Sequence, residues 1–128
     1  MKSLLDYVIN LAKKELIKRG ILDDNHTRAS LKKERARADR NNQPFSVVLF
    51  SIKKSEFKSM AEIQLGFILS KRLRITDEYG WYNKNLCLIL PNTTQNGALK
   101  ISREIMQLSS KYFSDISFKI FSYPDRVK

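Results

Sequence analysis

Apolar residues recur at helical spacing near the N-terminus. Leu5, Val8, Ile9, Ala12 and Leu16 share one face, and Leu4, Leu11 and Ile17 widen it. Ser3 and Asp6 have capping-box spacing and Gly20 stands where a helix stops, so a helix is predicted over 4–19. Its cover is either the domain's own core or a dimer partner. Asp23-Asp24-Asn25 breaks the pattern. A second helix is predicted over 27–41, rich in Lys and Arg, with Leu31 and Ala38 as its inward positions. Pro44 closes it, because proline disfavours helical backbone at Gln43.

From Phe45 to Ile52 the chain is β-branched, aromatic and almost continuously apolar, which predicts a central, buried strand. Lys53-Lys54-Ser55-Glu56 reads as an exposed turn. A helix follows over 58–74, with Ala61, Leu65, Ile68 and Leu69 on one face. Gly80 to Tyr82, the turn Asn83-Lys84-Asn85, and Leu86 to Leu90 form a predicted β-hairpin. Thr93 is the predicted N-cap of a helix carrying Ala98, Ile101, Ile105, Leu108 and Tyr112. Ile116 to Tyr123 alternates as a last strand. Two helices followed by β-α-β-β-α-β predict an α+β, ferredoxin-like core with an antiparallel sheet. The implied division is an amphipathic helix over 1–22 and a domain over 27–128.

A length of 128 residues leaves room for one core and at most a flanking helix. Lys and Arg total 24 against 13 acidic residues, a net charge of +11. That excess favours anionic partners: nucleic acid, acidic lipid, nucleotide or acidic protein. A single cysteine, Cys87, cannot form an internal disulfide and fits a reducing cytoplasm. With His26 as the one histidine, there is no His/Cys cluster for zinc. No apolar run approaches the roughly 18–20 residues that span a bilayer. Asp6 and Asn10 interrupt the N-terminal apolar run and no small-residue cleavage site follows, so no signal peptide is expected.

The run Pro44-Phe45-Ser46-Val47-Val48-Leu49-Phe50 resembles the first core strand of GGDEF (diguanylate cyclase) domains, and Leu31 to Arg40 resembles the helix before it. Asp77-Glu78-Tyr79-Gly80-Trp81-Tyr82, then Leu86 to Pro91 and Thr93, are similar to that family's central hairpin and Leu-Pro-x-Thr segment. Ile116 to Pro124 resembles its closing strand. The likeness runs over residues 27–124 and lies in the order and spacing of the pieces. The Asp-Glu-x-Gly-Trp hairpin is also similar to GGDEF-like domains associated with bacterial polysaccharide-synthesis sugar transferases.

The resemblance implies cyclisation of two GTP molecules with two metal ions, and the departures bear on that chemistry. Hard cations need oxygen ligands. Where the family ends its first strand in an Asp-x-Asp-like pattern, this chain has Ser51-Ile52-Lys53. Where the family has its Gly-Gly-Asp-Glu-Phe turn, this chain has Asn83-Lys84-Asn85. Phe57-Lys58 runs directly into Ser59-Met60-Ala61-Glu62, without the polar stretch that forms the guanine pocket. The expectation is a domain without catalytic residues, metal or cofactor. It would act as a regulatory or interaction module, with a protein partner and self-association through the N-terminal helix.

One family site has a counterpart. Arg74-Ile75-Thr76-Asp77 matches the Arg-x-x-Asp site for cyclic-di-GMP, in which Arg forks onto phosphate or a guanine edge and Asp accepts guanine N–H groups. Lys71 and Arg72 add positive charge nearby. The plain alternative is a local ion pair at a helix end. A second reading is a basic nucleic-acid-binding module, with Arg28, Lys32, Lys33, Arg35, Arg37 and Arg40 along a phosphate backbone. Its plain alternative is a solvated helix face. Base stacking on the sheet has little to work with, because Leu86 to Leu90 holds no aromatic residue. Trp81 and Tyr82 read as cross-strand packing, Cys87 as a small core residue, and His26 has no assigned role.

Overall fold

The computed structural model describes residues 3–53, 58–112 and 115–124. The elements run α1 (Leu4–Lys18), α2 (Asp24–Asn41), β1 (Phe45–Ile52), α3 (Lys58–Arg72), β2 (Glu78–Tyr82), β3 (Asn85–Pro91), α4 (Gln95–Ser109) and β4 (Ile116–Tyr123). The predicted order holds throughout. The turn expected over 53–56 and the Phe57 position lie largely outside the described residues.

All strand pairs are antiparallel, in the order β2-β3-β1-β4. β1 is internal, as its apolar run requires. Val48 and Phe50 are buried, and so is β3 from Leu86 to Leu90. These strands pack beneath α3 and α4, which contribute Ile63, Leu65, Leu69, Ala98 and Ile105 to one cluster. α2 lies against β2, β3 and β1.

α1 belongs to that same cluster. Leu16 and Ile21 are buried in it, and Ile9 and Ala12 pack against it. Gly66 of α3 admits the Leu16 side chain; a β-carbon there would stand 2.9 Å from Leu16 Cδ1. Leu5 and Val8, which share the predicted face, remain exposed with Leu4 and Leu11. The helix is seated by its C-terminal half. The Ser3–Asp6 capping box is formed.

Three local readings change. α2 begins three residues earlier than predicted, because Asp23 caps it through the His26 N–H at 2.8 Å. Its inward row is Thr27, Glu34 and Ala38, with Leu31 half-buried. Thr94, not Thr93, caps α4. The buried face of α4 is Ala98, Ser102, Ile105 and Ser109. Both serines are soluble in that apolar setting because each hydroxyl donates to the carbonyl four residues back, at 2.7 Å. Leu108 and Tyr112, predicted inward, are 42% and 61% exposed.

Candidate functional site

Arg74 and Asp77 lie in the connection from α3 to β2, at the sheet end where β3 finishes. The Asp77 side chain is 1% exposed. Its two oxygens accept from Arg74 Nη2 at 3.0 Å and Nε at 3.2 Å, and one also accepts from the Arg74 backbone N–H at 3.0 Å. The carboxylate thus closes the turn and grips the guanidinium. Arg74 Nη2 reaches on to the Thr93 hydroxyl at 3.0 Å and the Pro91 carbonyl at 3.3 Å. Thr93 in turn donates to Pro91 O at 2.9 Å, and its own carbonyl accepts from the buried Ser46 hydroxyl at 2.8 Å. Thr93 is buried with its hydroxyl committed to Arg74 and Pro91, and Thr94, the next residue, caps α4. Asp77 holds the Arg74 guanidinium more firmly protonated than usual. The outer side of Arg74 stays open: its side chain is 52% exposed.

The structure brings Arg74 and Asp77 together but gives their neighbours other roles. Arg72 is bound by the Glu104 carboxylate of α4, so its charge is already met. No sequence signal linked these two residues, which are far apart in the chain. Pro91 and Thr93 were equally silent as partners for Arg74.

The opposite end of the sheet carries the hairpin turn. Asn83 and Lys84 both have positive φ, 47° and 66°, the backbone of a two-residue hairpin turn. Asn85 therefore pairs with Tyr82 as strand rather than extending the turn. The first turn of α2 clamps this tip. Asp24 accepts the Asn83 backbone N–H at 2.8 Å and binds Arg28, and Arg28 donates to Asn83 Oδ1 at 2.7 Å. The Arg28 guanidinium also lies over the Tyr82 ring, 4.4 Å from its centroid. Continuing the β1–β3 register past Phe50 and Leu86 brings Ser51–Lys53 level with Asn83 and Lys84. Lys53 is bonded through its backbone N–H to Asp115, one strand further out. Among the described residues, the charged groups near this end include Lys53, Lys84, an engaged Asp24 and, one strand further out, Asp115. The Asp24–Arg28 spacing of four was a legible signal for the clamp.

The remaining candidates are divided among structural duties. Of the α2 cations, Arg28 holds the hairpin, Arg37 pairs with Glu34 at 2.6 Å, and Arg35 lies 5.0 Å from the Tyr123 centroid. Lys32, Lys33 and Arg40 have no ion pair among the described residues. His26 bonds Asp23 at 2.7 Å at the helix cap. Trp81 is half-buried against the core. Cys87 is fully buried, and burial pushes its thiol up to about 12. No group of three or more His, Cys, Asp or Glu side chains converges as a metal site among the described residues.

No protein-family model and no curated protein matches the sequence. Solved structures do. A DGC protein from Thermotoga maritima is 23% identical and superposes with a TM-score of 0.75 over 82% of this chain and 83% of that one. The GGDEF domain of DgcB from Caulobacter crescentus, in complex with c-di-GMP, is 9% identical with a TM-score of 0.70, over 80% of this chain and 70% of its own. A longer DgcB structure with its coiled coil is 12% identical with a TM-score of 0.66, and its match extends to 91% of this chain and 76% of that one. The chain has the GGDEF diguanylate cyclase fold.

Proposed function

We propose that this GGDEF-fold domain has given up cyclase chemistry and serves as a regulatory and interaction module. The observation that carries the reading is the clamped, cationic end of the sheet at Asn83–Lys84. A divalent ion there would meet the Lys53 and Lys84 ammonium groups, while Asp24 is occupied by Arg28 and the Asn83 N–H. Among the described residues no three carboxylates converge there, which does not fit the metal pair that the fold family implies. Incubation with GTP and Mg²⁺ or Mn²⁺ is expected to give no cyclic-di-GMP above a buffer control. Turnover that scales with protein and survives repurification would overturn the proposal.

The half-exposed Arg74 favours a second reading, a cyclic-di-GMP receptor. In it Arg74 contacts the ligand, and Asp77, buried behind it, positions the guanidinium instead of meeting guanine itself. Calorimetric titration with cyclic-di-GMP and GTP at two salt concentrations tests this. Saturable binding that persists in salt supports a receptor, and silence retires it. Weak binding that collapses with salt would mean nonspecific attraction to the basic surface. The engagement of Arg28, Arg35 and Arg37 inside the fold weighs against the nucleic-acid alternative.

Self-association belongs to the same module reading. Leu4, Val8 and Leu11 form a heptad-spaced stripe on α1, 79%, 46% and 47% exposed, beside the row seated on α3. The DgcB match lengthens when its coiled coil is included, which supports a second copy as the cover. Val8→Glu with Leu11→Glu is expected to lower the mass in light scattering while leaving the melting temperature in place. An unchanged monomer mass in the parent chain would remove the idea. The Asp-Glu-x-Gly-Trp hairpin suggests the machinery of bacterial polysaccharide synthesis as the setting, in the cytoplasm.

A further inference from the structure

The groove between α3 and α4 has its own chemistry. It encloses about 310 Å³ and is floored by Phe67, Ile68 and Leu108, with Tyr112 at one end. Leu108 and Tyr112 are apolar surface that the fold leaves uncovered. Lys71 and Lys111 stand on opposite walls, and neither has an acidic partner among the described residues. The Arg19 guanidinium extends the positive rim from α1, 4.9 Å from the Phe67 centroid. The acidic residue lining α4 nearby, Glu104, is bound to Arg72.

We infer that this groove docks an acidic, amphipathic helical segment of a partner protein. The shape argues for a helix, because the trough between two packed helices accepts the ridge of a third. On the α3 wall the groove runs from Gln64 to Arg72, about two helical turns, and on the other from Leu108 at the end of α4 to Tyr112 in the turn beyond it, so its apolar floor of Phe67, Ile68 and Leu108 is about one turn long. It therefore takes two apolar side chains three or four residues apart. Charge complementarity gives the rest: carboxylates flanking those anchors meet Lys71 and Lys111, which no described residue neutralises. The inference deepens the interaction-module reading and rests on it.

The probe is a labelled synthetic helix of about 16 residues, with glutamates around two leucines spaced by four, read by fluorescence anisotropy against the full chain. A control peptide of the same composition scatters its leucines around the helix. The designed peptide is expected to bind saturably at one per chain, and the control at least about tenfold more weakly. Lys71→Glu with Lys111→Glu, and separately Leu108→Ser, should each weaken binding about tenfold or more without moving the melting temperature. Equal affinity for both peptides would reduce the groove to nonspecific charge and overturn the inference. So would loss of self-association in Leu108→Ser, which would give the groove to a second copy, or capture by phosphatidylserine vesicles that the same variants abolish. Failure of the peptide with no GTP turnover sinks the groove alone, whereas GTP turnover sinks the module reading.

Discussion

Gly80 and Thr27 approach so closely that a β-carbon on Gly80 would stand 2.2 Å from the Thr27 hydroxyl oxygen. The same atom would lie 2.8 Å from the Leu22 carbonyl oxygen, which is backbone and cannot swing aside. Thr27 is itself buried and bonded to the Asp23 carbonyl at 2.8 Å. This contact seats the start of α2 on β2. Gly80→Ala should therefore destabilise the domain by about 1–3 kcal/mol or more, measured by urea denaturation. Adding Thr27→Ala should recover only part, since the Leu22 contact remains. A Gly80→Ala protein as stable as the parent would show that the linker is free to shift.

The Arg74–Asp77 pair should behave as a buried tether, not as a surface ion pair. Asp77→Ala frees the Arg74 N–H and the guanidinium together. It is expected to cost about 1.5–3 kcal/mol, against about 0–1 for an exposed pair. Arg74→Lys keeps the charge but cannot fork onto Asp77 while reaching Thr93, so it should lose roughly half as much. A double-mutant cycle with Arg74→Ala and Asp77→Ala should show strong coupling. Additive effects would mean that Asp77 acts only as a turn closer.

Cys87 should be inert in the folded protein. Its thiol is fully buried on β3 and its pKa is pushed up to about 12, so thiolate is scarce at pH 8. Labelling by a thiol-specific disulfide reagent should follow denaturant concentration with the unfolding curve. Rapid labelling in native buffer would reveal local opening of the central strands.

The hairpin clamp should loosen in acid. Arg28, and then the Asn83 N–H, hold the Asp24 carboxyl below its ordinary value of 3.8. A depressed folded-state pKa means that the contribution is complete above about pH 4 and disappears as pH falls through the folded value. The Asn83 amide proton, followed by NMR, is expected to shift and to lose protection relative to its intrinsic exchange rate below pH 4. Asp24→Asn should show the loosened state at neutral pH. An Asn83 signal indifferent to both changes would remove the clamp.

The fold was legible because its strands announce themselves. Phe45 to Ile52 admits no other reading, and the alternation of Ile116 to Tyr123 places one face on the core. Helix faces were less legible, since α4 buries Ser102 and Ser109 where apolar periodicity favoured Leu108 and Tyr112. A serine that bonds its own helix backbone can lie in a core, and composition does not show which serines do so. At the site, Arg74 and Asp77 were visible as a spacing. Their geometry was not, because Thr93, Pro91 and Ser46 reach them through tertiary contacts. The α1 case is similar: one row of apolar residues was seen, but the pocket that Gly66 opens for Leu16 decides which half of it is seated.

The linker between α1 and α2 also sets how this sheet can grow. Leu22 bonds both sides of Gly80, donating to Tyr79 O at 3.0 Å and accepting from Trp81 N at 2.9 Å, in a parallel bridge. That contact blocks the outer edge of β2. The other rim, β4, presents its outward backbone groups along eight residues. Among the described residues one rim is capped and the other is open, which makes the sheet one-sided as a building unit. Two copies joined through β4 would satisfy each other about a twofold axis and leave no rim to recruit a third. Strand addition at the β2 rim would require first peeling Leu22 from Gly80.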